Sequence, residues 1–328
     1  MKRKTGKAFN LIFTSVMLQA LLLTANVMTV SASSTTDTAQ PPIISEDCSL
    51  EITYSSEETV FAGEDICLWH VADLTADATY ELSGSFAGYP VEITGTASQD
   101  EWDETTITLN SFILKDDIDP DHAGTTDENG KVLFESLRSG IYLVSDVRTE
   151  KDGDFYVFES FMAAVPGVGE DGAWNINVSA KPKLSIDKPS KGEVKYQVVK
   201  VWNDGSDADK LRAKNVNINI YKDDVLSETV TLDSENDWTY SWKTIDDGSV
   251  WKVAEEDIPD GYTVGINKKG DTYTITNTHT VNPPDDTPDS DPSTGDSSNI
   301  LLYVILIAAA GIILAIMGII LTRRSNKR

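Results

Sequence analysis

The chain has 328 residues, enough for two ordinary domains plus accessory segments. Its 27 Lys and Arg residues stand against 53 Asp and Glu residues, which gives a formal net charge of −26. This charge argues against nucleic acid as a partner, because phosphates would be repelled, and it is typical of a well-solvated extracellular surface.

The N-terminal 32 residues have the layout of a secretory signal peptide. The basic stretch MKRKTGK precedes the apolar run LIFTSVMLQALLLTANVMTV. The segment ends in VSA, which offers small residues before the cleavage site. This order predicts cleavage between Ala32 and Ser33, so the chain is expected to be exported. Residues 33–43 then form a polar leader without a pattern of core residues.

Residues 44–185 are predicted to form a first domain of β-strands. Short alternating runs are separated by turn sequences such as DENGK and RSG, and no segment shows a convincing helical period. The predicted strands are LEITY, DICLWHV, TYELSG, GKVLFESL, GIYLVSDV, FYVFESF and WNINVSA. Strands at this spacing indicate a β-sandwich.

The chain has two cysteines, Cys48 and Cys67, and export permits them to form a disulfide. They lie on consecutive predicted strands, so an antiparallel hairpin would place the two thiols opposite each other. Such a bond would contribute about 3 kcal/mol for a loop of this length. The alternative is a pair of reduced, buried cysteines.

Residues 193–281 are predicted to form a second β-sandwich. Its predicted strands are YQVVKVW, NVNINIYKD, ETVTLD, DWTYSWK, SVWKVAE, YTVGI and YTITNT. Together the two blocks predict an all-β chain with two immunoglobulin-like sandwiches in tandem.

Three strands of the second block each place one polar side chain on an apolar face, because alternate residues of a strand share a face. The apolar neighbours are Val198 and Trp202 for Lys200, Trp251 and Val253 for Glu255, and Tyr273 and Ile275 for Asn277. Burial disfavours the charged forms of a lysine and a glutamate, so such groups occur paired or neutral.

If these three polar side chains meet, they can react. A neutral Lys200 amine is a nucleophile and the Asn277 carboxamide is an electrophile, while a protonated Glu255 can polarise the carboxamide and shuttle protons. The predicted product is an amide bond between Lys200 and Asn277, formed with loss of ammonia. The alternative is a buried Lys–Glu pair with Asn277 only hydrogen-bonded.

The second block resembles a collagen-adhesin B-type (CnaB) repeat of Gram-positive surface proteins and pilins. The resemblance covers roughly residues 194–280 and is carried by KVW near the start, E…PDGY late in the block and TITNTH at its end. It implies a CnaB-type sandwich in which Lys200 and Asn277 form an isopeptide bond and Glu255 is the catalytic acid. The bond would tie the first strand to the last.

The first block resembles the N-terminal domain of sortase-assembled pilin subunits. The resemblance is carried by ICLWHVADLTADATYELSG, GTTDENGKVLFESLRSGIYLVSD and WNINVSAKPK. The last phrase is similar to the motif whose lysine joins subunits, with matches at Trp174, Val178, Pro182 and Lys183. Lys181 stands where the family has a tyrosine. The resemblance implies an inter-subunit role for Lys183, and a solvated linker lysine is the alternative.

The C-terminal 47 residues, 282–328, resemble a cell-wall attachment region. Residues 282–299 lack large apolar side chains and are predicted to be an extended acidic tether. Residues 300–321 are uncharged and long enough to cross a bilayer, and the basic residues 322–328 indicate a cytoplasmic tail.

Residues 291–295 of the tether resemble the sorting motif that a sortase cuts between Thr and Gly. The motif-like residues are Pro292, Ser293, Thr294 and Gly295, and Asp291 stands in the place of the usual leucine.

The whole layout resembles a Gram-positive surface protein, either a pilin-like subunit or a wall-anchored stalk. The resemblance implies a sortase as a partner, together with other pilin subunits or peptidoglycan, and a single self-crosslinking event rather than enzymatic turnover. The sequence shows no nucleotide-binding loop, hydrolase triad or metal-ligand cluster, so no cofactor is expected. The alternative function is an adhesin that binds a host matrix protein or glycan through the first domain.

Overall fold

The computed structural model describes residues 41–93, 98–169 and 172–281. The predicted signal peptide, sorting motif, membrane span and basic tail lie outside these ranges. Within the described ranges, no helix is both long enough and apolar enough to cross a membrane.

The first half of the described chain is mostly β-structure. Its elements are β1 (Cys48–Thr53), β2 (Asp65–Leu74), β3 (Tyr80–Leu82), α1 (Gln99–Asp116), β4 (His122–Thr125), β5 (Lys131–Leu137), β6 (Gly140–Val144), β7 (Val147–Lys151), β8 (Asp154–Phe158), β9 (Phe161–Val165), β10 (Gly167–Val168), β11 (Trp174–Asn175), β12 (Asn177–Ala180) and β13 (Leu184–Asp187). The main sheets have the strand orders β12-β1-β5, β13-β8-β7 and β3-β2-β6-β9, and β4 also pairs with β2.

The helix α1 shows that the prediction of a first domain without helices was wrong. The Ser98 side chain accepts a hydrogen bond from the Glu101 N–H, and the Glu101 carboxylate accepts one from the Ser98 N–H, so a capping box begins the helix. The buried side of α1 carries Thr106, Thr108 and Ser111 beside its apolar residues. Polar residues on the packed face interrupt the apolar period by which a helix is recognised.

The predicted hairpin between the two cysteine-bearing strands is also wrong. β1 and β2 lie in different sheets, because their apolar faces close over one shared core. Cys48 and Cys67 are free thiols in this structure. The buried Cys48 Sγ lies 3.7 Å from Ser139 Oγ, and burial raises the pKa of the half-buried Cys67 thiol.

The second half has each of the seven predicted strands. They are β14 (Glu193–Asn203), β15 (Asn215–Lys222), β16 (Val225–Asp233), β17 (Thr239–Ile245), β18 (Trp251–Glu255), β19 (Thr263–Lys269) and β20 (Thr272–Thr278). They form two facing sheets, β17-β14-β20-β19 and β16-β15-β18, around a core that includes Val198, Ile218, Trp242 and Ile275.

The free edge of β19 is covered by the first half of the chain. The Val264 N–H donates to the Pro90 carbonyl at 2.9 Å, and the Ile266 N–H donates to Thr108 Oγ1 of α1 at 2.8 Å. Unpaired edge N–H groups are a template for unwanted strand pairing, so these contacts protect the edge. They also join the two halves, and the described residues form one compact unit.

Candidate functional site

The second sandwich brings its first and last strands side by side. β14 and β20 run parallel, with Lys200 opposite Ile275 and Trp202 opposite Asn277. Glu255 is the last residue of β18, which lies in the facing sheet. The three predicted polar side chains all point inward, and Lys200, Glu255 and Asn277 are 4%, 2% and 0% exposed.

The structure places Glu255 between the other two predicted reactants. Asn277 Nδ2 donates a hydrogen bond to Glu255 Oε1 at 2.9 Å, and Lys200 Nζ lies 3.6 Å from Glu255 Oε2. The lysine also donates to the backbone carbonyls of Val201 at 3.1 Å and Ile275 at 3.4 Å. A nucleophile, a carboxylic acid and an electrophile therefore meet inside the sandwich.

Burial sets the protonation of this cluster. It lowers the pKa of Lys200, opposed by the charge of Glu255, and it raises the pKa of Glu255, opposed by the charge of Lys200. Both directions favour the neutral amine and the neutral acid. Glu255 Oε2 and Asn277 Oδ1 have no hydrogen-bond partner among the described residues. A buried carboxylate oxygen that accepts no hydrogen bond is costly, which also favours the protonated form of the acid.

An aromatic wall next to Lys200 was not identified from the sequence. Lys200 Nζ lies 4.4 Å from the centroid of the Trp202 ring. Trp202 in turn contacts Trp238 and Tyr262 edge-on, each with ring centroids 5.3 Å apart. Trp202 and Trp238 pack against the core of the sandwich, and the Lys200 side chain is 0% exposed.

A charged network behind the aromatic wall was missed as well. Asp204, only 2% exposed, accepts hydrogen bonds from Arg212 Nη2 at 2.5 Å and Nε at 2.9 Å. It also accepts one from the Tyr262 hydroxyl at 2.9 Å. These donors, Arg212 foremost, hold the pKa of Asp204 well below its usual range. The signal in the sequence was an aspartate two residues beyond Trp202, in a stretch that otherwise reads as a surface loop.

Lys183, the predicted inter-subunit lysine, lies away from the Lys200 cluster. It follows β12 in an open cleft of about 770 Å³, which is also lined by Asp103, Asp187 and Lys268. Its side chain is 75% exposed and Nζ lies 2.9 Å from Glu159 Oε2. This contact holds the pKa of Lys183 above its ordinary value. The predicted cleavage and sorting residues, 32–33 and 291–295, are outside the described ranges.

His279, two residues beyond Asn277, gives a pH-dependent prediction. Its Nδ1 contacts the Gly261 carbonyl at 2.7 Å and its Nε2 contacts Asp209 Oδ2 at 3.0 Å, and these two acceptors raise the pKa of His279. A raised folded pKa contributes stability below the unfolded value of about 6.5, and this stability is lost as pH rises through the folded value.

We therefore expect the unfolding midpoint of the parent to exceed that of His279→Gln most at about pH 5.5. The difference should shrink as the pH is raised to alkaline values. Denaturant titrations of both chains across pH measure it, and a difference that grew with pH would contradict the assigned contacts.

Comparison with known proteins places the second sandwich in a family. The sequence model of the Cna protein B-type domain matches residues 196–278. A search of curated proteins finds no match.

Several solved structures are similar to the chain. One B repeat unit of the collagen-binding surface protein Cna of Staphylococcus aureus has 15% identity and a TM-score of 0.26, over 72% of this chain and 98% of that one. The major pilin SpaD of Corynebacterium diphtheriae has 17% identity and a TM-score of 0.27, over 71% and 64%. The T6 backbone pilin of Streptococcus pyogenes has 12% identity and a TM-score of 0.31, over 70% and 63%.

Because the three TM-scores are low, the assignment depends on the sequence match. That match spans almost all of the sandwich from β14 to β20, including the Lys200, Glu255 and Asn277 cluster. Residues 196–278, and with them the second sandwich, therefore belong to the Cna protein B-type domain family.

Proposed function

We propose that this chain is a structural protein of the cell surface, a pilin-like subunit or a wall-anchored stalk. Its second sandwich is stabilised by an amide bond between Lys200 and Asn277 that the domain forms autocatalytically. The observation that supports this most directly is the contact of Glu255 with both of these buried side chains, at 2.9 Å and 3.6 Å.

The crosslinking reaction balances without a cofactor. The Lys200 proton passes to Glu255, and the neutral amine attacks the Asn277 Cγ carbon while the protonated acid polarises the carboxamide. The bond from Cγ to Nδ2 then breaks, Glu255 assists proton transfer to the leaving nitrogen, and ammonia departs. The chain reacts once with itself, so it is not a turnover enzyme.

The strand order would let this bond bear tension applied across the domain. The sandwich begins with β14 and ends with β20, and these two strands are parallel neighbours. Tension applied to the two ends of the domain pulls them in opposite directions and slides one strand past the other. A covalent bond between Lys200 and Asn277 would carry that load in place of the ladder of hydrogen bonds.

The proposed location follows from the two ends of the sequence. A signal peptide at residues 1–32 would export the chain, and a sortase acting at Thr294 and Gly295 would attach it to other subunits or to peptidoglycan. Without cleavage, residues 300–321 would hold it in the membrane.

The intact mass of the full chain, measured beside that of Glu255→Ala, tests the crosslink. After allowance for the substitution, the parent is expected to be lighter by one ammonia, and a proteolytic digest should contain a branched peptide joining Lys200 to Asn277. Glu255→Ala should show neither. A parent with its full calculated mass would leave only a buried ion pair and would refute the proposed chemistry.

A further inference from the structure

Besides Glu255, the ion pair of Asp204 and Arg212 lies beside the Trp202 ring that contacts the Lys200 amine. Glu255 faces it from β18, while Asp204 and Arg212 belong to the connection between β14 and β15. The Arg212 guanidinium lies 5.5 Å from the centroid of the Trp202 ring, whose centroid is also 4.4 Å from Lys200 Nζ. Two cationic groups therefore share one indole ring in a largely buried setting.

The two charges behind the ring act on Lys200 in opposite directions. The Asp204 carboxylate raises the pKa of the lysine, because a nearby anion stabilises the ammonium, and the Arg212 guanidinium lowers it. Arg212 keeps its charge under all working conditions. Its charge therefore offsets that of Asp204 at every working pH.

Asp204 also has a structural role in the loop after β14. Its carboxylate accepts hydrogen bonds from the Asp207 N–H at 2.9 Å and from the Tyr262 hydroxyl at 2.9 Å. These bonds tie the loop after β14 to Tyr262, which contacts Trp202. The wall around Lys200 is thus held by an anion that, on its own, would oppose the crosslinking reaction.

We propose that Arg212 is a positioning residue for the crosslink: its fixed charge offsets Asp204, so that Lys200 can pass its proton to Glu255 and attack Asn277. The inference rests on the proposed Lys200–Asn277 bond. Arg212 exchanges no proton and forms no bond in the reaction; it changes how readily Lys200 gives up its proton.

The test removes the charges of Asp204 and Arg212, singly and together, and measures the rate of crosslinking each time. The full chain and its variants are recovered unfolded from inclusion bodies, verified by mass to be uncrosslinked, and refolded into detergent at neutral pH. Loss of ammonia is then followed by intact mass over time, and tryptophan fluorescence reports refolding. The same substitution at an ion pair of the first sandwich, Arg138→Gln opposite Asp73, is the matched control.

Arg212→Gln is expected to crosslink about tenfold more slowly, which corresponds to a shift of one pKa unit in the amine. Asp204→Asn, which keeps the hydrogen-bonding shape, should react at least as fast as the parent. The double variant Asp204→Asn with Arg212→Gln should recover most of the rate, because both charges are gone. Arg212→Lys, which keeps the charge, should lie closer to the parent than Arg212→Gln does.

A purely structural role predicts a different pattern. Both single variants would then be slow and the double variant slower still, and that result would overturn the inference, as would an unchanged rate for Arg212→Gln. If Arg212→Gln fails to refold, a slow Asp204→Asn still contradicts the proposal. A parent that refolds but never loses ammonia would instead refute the crosslink itself.

Discussion

Loss of the Lys200–Asn277 bond is expected to lower the free energy of unfolding of the second sandwich by about 4–5 kcal/mol. This is the loop-closure value for a crosslink that spans most of a domain. The bond would close the chain from β14 to β20, so the unfolded state of the parent is restricted and that of an uncrosslinked variant is free. Denaturant unfolding, followed by the tryptophans of this domain, measures the difference.

Two variants separate the effect of the bond from that of the side chains. Glu255→Gln removes the acid and leaves the lysine, whereas Lys200→Met removes the nucleophile and replaces it with an apolar chain of similar length. Their local effects differ, because Glu255→Gln leaves a buried amine without its carboxylate and Lys200→Met leaves a buried carboxyl group without its amine. If the crosslink dominates, both lose most of the same free energy. A parent no more stable than Lys200→Met would contradict the prediction.

Removal of the Lys183 amine is expected to abolish covalent multimers on the cell surface. No amide can form between subunits at a residue without an amine, so Lys183→Ala should convert a ladder of multimers into monomers. Electrophoresis of wall digests under denaturing conditions shows the ladder. Lys183 suits this role in the structure because its side chain is 75% exposed and is contacted by Glu159.

Lys188 provides the matched control for this experiment. It is 73% exposed and also paired with an acid, since its Nζ lies 2.7 Å from Asp154 Oδ2, so Lys188→Ala should leave the ladder intact. A ladder that survives Lys183→Ala would assign the bond to another lysine. A parent that is always monomeric and binds a host matrix protein or glycan would favour the adhesin alternative.

Alternation along single strands accounts for the parts of the candidate site that the sequence predicted. Each of Lys200, Glu255 and Asn277 has an apolar residue two positions away on its own strand. The two-residue period of a strand therefore places each polar side chain on the apolar face of that strand. All three are at most 4% exposed in the structure. The seven strands of the second sandwich were predicted for the same reason, since their runs are short, regular and bounded by turns.

The two wrong predictions, a first domain without helices and a hairpin of the cysteine-bearing strands, both concern contacts between distant segments. The helix α1 packs Leu109 against the first half and Phe112 against the second, so no single apolar stripe was present to predict it. The strands of Cys48 and Cys67 are neighbours in sequence but belong to different sheets. The alternation of apolar and polar residues along a strand does not specify which strand it pairs with or which sheet it joins.

The sequence by itself determined which side chains of this protein face inward and which of them could react, because both depend on residue type and on a local period. Only the tertiary structure decided that Glu255 reaches Lys200 and Asn277 from the facing sheet. It also decided that Asp204 and Arg212 lie behind Trp202. These contacts join residues far apart in the chain, and their distances depend on how the two sheets and their loops pack together.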